Sequence, residues 1–215
     1  MHEAMKNNFT LRWTLANALG MSLGFLVAAQ FTMFYKYGLN FEMHWDFGSG
    51  ADQNFSKSSM LLKQGIAAAI FGSIFSSGQA LILKKYLAKP WAWILNSALG
   101  FILVLLIIWP LIGIGIWGKI DGPAEPLTIV LGGTLFMIIL QWRYLRKQGI
   151  KPARPFIWFG VGALLGVLPV MLLFMVIWTN VPWGVDLAIM GFIVGGSAGF
   201  LSAKHFQKAF EERSV

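Results

Sequence analysis

Apolar residues fall in six long runs along the chain, Leu11–Phe34, Leu61–Leu83, Trp93–Trp117, Leu127–Trp142, Phe156–Ile177 and Val185–Ala203, separated by shorter polar segments. A helix rises about 1.5 Å per residue, so a run of some 20 residues crosses the roughly 30 Å of a bilayer's hydrocarbon. The pattern therefore predicts an all-α integral membrane protein, one domain over residues 1–215, with six transmembrane helices. The shortest run is the fourth. Pro110 and Pro169 interrupt the third and fifth runs and should bend them. The one long connection, residues 35–60, is rich in aromatics, which favour a membrane interface. Its Tyr37, Phe41, His44, Trp45 and Asp46 form a candidate outer surface for a partner. The end of the chain, Lys204 to Val215, reads as a mixed-charge tail that frays into the cytosol.

Small residues recur every four positions in three of the runs: Ala16, Gly20, Gly24 and Ala28; Ala68, Gly72, Ser76 and Ala80; Gly191, Gly195, Gly199 and Ala203. That spacing makes a smooth stripe along one helix face and lets another backbone approach closely. Gly20, Gly24, Gly72, Gly191, Gly195 and Gly199 are the candidate packing positions, within one chain or between copies.

Charge orients the runs. Lys6 and Arg12 precede the first; Lys84, Lys85 and Lys89 follow the second; Arg143, Arg146, Lys147, Lys151 and Arg154 follow the fourth; Lys204, Lys208 and Arg213 follow the sixth. These 13 basic residues share one side, and only Lys36, Lys57, Lys63 and Lys119, 4 in all, fall on the other. The positive-inside rule then puts both termini in the cytoplasm. The net charge of +8 is thereby explained by orientation, with no nucleic-acid partner needed. With 57% apolar and 12% charged residues the chain departs far from a soluble domain. There is no cysteine, which excludes disulfides, thiolate metal sites and cysteine nucleophiles.

The runs also repeat. Trp13-TLANAL-Gly20 matches Trp93-ILNSAL-Gly100, with Phe159–Gly166 as a looser third copy in which Trp158 is displaced by one residue. In the even runs Gln79 and Gln141 each precede a basic pair, Lys84-Lys85 and Arg146-Lys147, and Ser202 stands at the third such position. Three hairpins of one orientation imply a pseudo-threefold axis along the membrane normal. The turn Gln141-Trp142-Arg-Tyr-Leu145-Arg146-Lys147 and the helix start Trp13-x-Leu15-x-Asn17-x-Leu19-Gly20 resemble a pattern of uncharacterised multi-pass proteins of cyanobacteria and related phyla. That resemblance implies a bacterial inner membrane, or a thylakoid, and no particular activity. Carriers of the mitochondrial type share three hairpins, but their Pro-x-(Asp/Glu)-x-x-(Lys/Arg) signature is missing here.

Chemistry is sparse. Away from their ends the runs contain no Asp, Glu, Lys, Arg or His, the groups that proton relays and voltage sensors need. The three histidines, His2, His44 and His205, cannot pair across a buried haem. No nucleophile elbow, HExxH or P-loop is present. No enzyme, cofactor or metal is expected. Two functions remain: a non-catalytic membrane subunit or scaffold, partnered by lipid, by other subunits or by itself, and a facilitator for a small neutral or amphipathic solute. For the second, Asn96, Gln79 and Gln141 would line a polar seam. Each glutamine is expected to bond the start of the following odd run, near Trp93 and near Trp158.

Overall fold

In a computed structural model, described for residues 2–37, 57–113, 124–150, 153–177 and 185–212, the chain forms six helices, and no strand occurs among the described residues. They are α1 (His2–Tyr37), α2 (Lys57–Leu83), α3 (Pro90–Gly113), α4 (Ala124–Lys147), α5 (Ala153–Ile177) and α6 (Val185–Glu211). Three of them, through Asn8–Ala28, Gly65–Leu83 and Leu187–Glu211, are long and apolar enough to cross a membrane; Pro90–Val104 and Arg154–Val170 are shorter apolar segments. α3 and α5 stay helical through Pro110 and Pro169. Of the outer-surface candidates, Phe41, His44, Trp45 and Asp46 lie outside the described residues, and Tyr37 is the last residue of α1.

Consecutive helices pack side by side, and α6 returns to pack along α1, so the six form a ring. One join differs: α4 and α5 touch only sparsely. Leucines and other large apolar side chains point outward from every helix, for example Leu15, Leu81, Leu99, Leu135, Leu168 and Phe200. The interior holds the polar groups as well as the aromatic ones, an inside-out arrangement for a protein in water.

Residues 204–211 do not fray as expected. They continue α6 as regular helix, with Phe206, Ala209 and Phe210 buried, so the fraying tail is instead the plug of the bundle. Phe206 stands on the ring's axis. Its ring lies 4.8 Å from that of Trp13 on α1, 6.4 Å from Trp93 on α3 and 5.3 Å from Phe156 on α5. α4 runs beyond the fourth apolar run to Lys147 and ends in a glycine cap. The Ile150 N–H donates to Leu145 O at 3.1 Å, Gly149 N–H to Arg146 O at 3.0 Å, and Gly149 has φ 77°. That left-handed conformation costs glycine nothing, and the accompanying apolar contact is supplied by buried Leu145 and Ile150.

Candidate functional site

A buried chain of hydrogen bonds runs around the end of the bundle that carries the basic residues. Trp13 Nε1 donates to Ser202 Oγ at 3.0 Å, joining α1 to α6. Asn17, one turn on, donates its Nδ2 to Trp13 O at 2.7 Å, which turns its Oδ1 toward α2. Gln79 Nε2 donates to that Oδ1 at 2.7 Å, while Gln79 Oε1 accepts the Trp93 indole N–H at 2.8 Å. Ser97 Oγ donates to Trp93 O at 3.0 Å and accepts Gln141 Nε2 at 2.7 Å. The chain thus links α6, α1, α2, α3 and α4 in order. Gln79 and Gln141 are each 1% exposed, and Asn17 is 0% exposed.

Of the three residues expected in a polar seam, the two glutamines are in this chain. The third position is taken by Ser97; Asn96, one residue earlier, is half-buried. The expected Gln141 bond toward Trp158 is not formed, because its amide turns back to α3. Trp158 is exposed and stacks on the His205 ring, 5.3 Å away with the planes 4° apart. The displacement of this tryptophan by one residue rotates it about 100° around the helix and out of the interior.

The glycines sit where backbones meet. A Cβ on Gly20 would lie 2.6 Å from Phe75 O of α2, and one on Gly24 3.0 Å from the Phe71 ring. Gly72 faces Ser97 of α3, with 2.8 Å between a Cβ and Ser97 O. Gly191, Gly195 and Gly199 face Met21, Asn17 and Thr14 in turn, all on α1. Further glycines do the same work: Gly100 abuts the Met137 backbone of α4, and Gly162 and Gly166 abut the backbone of α6 at Ser197 and Val194. By contrast a Cβ on Gly160 would meet nothing within 4 Å.

Inward from the hydrogen-bonded layer the axis is closed by apolar side chains. Phe75 is fully buried, with its ring 6.1 Å from Phe71 and 6.4 Å from Phe159; Phe71 packs on Phe101 at 4.6 Å. Met21, Met137 and Ala198 complete this layer. No group of three or more His, Cys, Asp or Glu able to hold a metal occurs among the described residues. At its other face the layer meets the turns: Tyr144 Oη donates to Lys89 O at 2.6 Å, and Gln148 Oε1 accepts the Ala88 N–H at 3.3 Å. The end of α4 thereby holds the α2–α3 turn. Comparison of the chain with models of protein families, with curated proteins and with solved structures finds no match.

Proposed function

We propose that the chain is a non-catalytic subunit or scaffold of a bacterial cytoplasmic membrane, crossing it six times with both termini inside. The observation that carries this reading is the burial of Gln79 and Gln141 in bonds between helices. Polar side chains that serve a permeating solute face a cavity and must exchange partners with it. These are committed to Asn17, Trp93 and Ser97 instead. Phe206 and Phe75 are buried between the helices, packed against Trp13 and Phe159. In lipid, apolar burial gives helices no drive to associate, so the close backbone contacts at glycine and the amide bonds must hold the bundle together.

The same contacts support a repeat of the first two hairpins. Gly20 meets Phe75 and Gly100 meets Met137, at matching positions of the first two hairpins; Gly72 meets Ser97 and Gly195 meets Asn17, at matching positions between hairpins. Purification from native membranes in mild detergent followed by mass spectrometry tests the function. The expected result is a protein subunit, or a second copy, at fixed stoichiometry. A co-purifying small solute, together with loss of its uptake in a stable, abundant Gln141→Leu variant, would establish a facilitator instead.

A further inference from the structure

The three joins between hairpins, α6–α1, α2–α3 and α4–α5, can be compared position by position. At the first, Trp13 donates to Ser202 and Gly195 receives the Asn17 backbone; at the second, Trp93 donates to Gln79 and Gly72 receives the Ser97 backbone. At the third the acceptor, Gln141, is present, but the matching ring is Phe159, which has no N–H to give. Thr134 stands where the glycine belongs. One position further on, Gly196 and Ala18 touch in the first join, a Cβ on Gly196 lying 3.6 Å from Ala18 Cβ. Their counterparts in the third join are Leu135 and Leu164, 57% and 60% exposed, whereas Ala18 and Ala98 are 2% and 8% exposed. Where the first join has two small residues this one has two large exposed leucines, and α4 and α5 touch only sparsely. The result is a leucine-walled seam open to the side of the bundle.

The seam has a charged mouth. Residues 126–185 contain no Asp or Glu, and Arg143, Arg146, Lys147 and Arg154 are all exposed on the last turns of α4 and the first turn of α5. Arg146 lies five residues beyond Gln141, about 7.5 Å further along the helix. An apolar slot with a purely basic rim at one end matches an anionic phospholipid, whose phosphate meets the cations while an acyl chain lies between the helices. A free anion would use the rim but not the slot.

We propose that the α4–α5 seam binds an anionic glycerophospholipid from the inner leaflet, an inference that rests on the membrane-spanning reading above. The test uses the full-length protein in detergent, offered phosphatidylglycerol or phosphatidylcholine, with retained lipid measured by native mass spectrometry. Phosphatidylglycerol should be retained preferentially. The triple variant Arg143→Gln, Arg146→Gln, Lys147→Gln should lower that retention by about tenfold or more, as each cation near an anionic headgroup is worth a factor of about five. Lys84→Gln, Lys85→Gln, Lys89→Gln removes the same charge beside the closed α2–α3 join and should change retention less than about twofold. Leu135→Gly with Leu164→Ala, which touches no charge, should also lower it by letting the helices close. Equal losses in the two triple variants, equal retention of the two lipids, or a second protein seated in the seam would overturn the proposal. Extraction of the chain from membranes by alkaline carbonate would instead remove the spanning reading itself, so the two failures are distinguishable.

Discussion

Gln79 and Gln141 occupy matching places in sequence, yet replacing each with leucine should have unequal consequences. Gln79→Leu removes two bonds, to Asn17 Oδ1 and from the Trp93 indole, and leaves both partners inside the bundle. Counted as membrane hydrogen bonds at about 0.6 kcal/mol each, the loss is about 1.2 kcal/mol. The stranded Trp93 N–H and Asn17 carbonyl add desolvation of about 1–3 kcal/mol apiece when no water reaches them, and Trp93 and Asn17 are almost wholly buried. Gln141→Leu removes the bond to Ser97 Oγ, and that hydroxyl keeps its own bond to Trp93 O. That change should cost about 0.6 kcal/mol. Reversible unfolding in mixed micelles measures both, and a double-mutant cycle with Trp93→Phe isolates the indole–amide term. Gln141→Leu proving as costly as Gln79→Leu, or an absence of coupling between positions 79 and 93, would refute this account of the network.

Phe206→Ala should destabilise the bundle by about 3–5 kcal/mol, as other large-to-small core changes do, although it lies beyond the last expected span; unchanged thermal unfolding would show that the plug is not needed. Gly20→Ala should lower the unfolding temperature, because its methyl meets the Phe75 carbonyl, while Gly160→Ala should raise stability by up to about 1 kcal/mol through helix propensity alone. The reverse order in a thermal shift assay would contradict the glycine contacts. Cysteines placed singly at Ser49, Lys89, Lys119 and Lys151 should react with an impermeant thiol reagent in intact cells only at 49 and 119. Labelling at 89 or 151 would reverse the orientation.

Hydrophobic period and length made the helices readable, because a run that must be apolar all round leaves a plain signal. The stripes at Gly20, Gly72 and Gly195 were readable for the same reason, since nothing else places small residues every four positions. Phe206 and Phe210 were not, because they lie among Lys204, His205, Gln207 and Lys208, where the apolar run has ended, although they continue the buried four-residue spacing of Met190, Val194, Ala198 and Ser202. Their burial depends on Trp13 and Trp93, which lie on other helices, and on Tyr86 in the α2–α3 turn. Ser97 was overlooked in favour of Asn96 because an amide is the stronger polar signal, and only the rotation of α3 decides which of two adjacent residues points inward. For Gln141 the sequence held the clue in the shift of Trp158 by one residue, whose effect on direction becomes visible once the neighbouring Phe159 is seen inside.

The bond from Trp13 to Ser202 spans 189 residues, and it closes the ring of helices. During synthesis the first helix therefore leaves the ribosome long before the face that will cover Thr14, Asn17 and Met21 exists. Gln79 can satisfy Asn17 once the first hairpin is inserted, but the Trp13 indole and the backbone that receives Gly191, Gly195 and Gly199 must wait for the final helix. At about 5–20 residues per second this interval is of order ten seconds or more. Truncation within the last helix would leave every nascent chain in that unfinished state, however well its first five helices had been made.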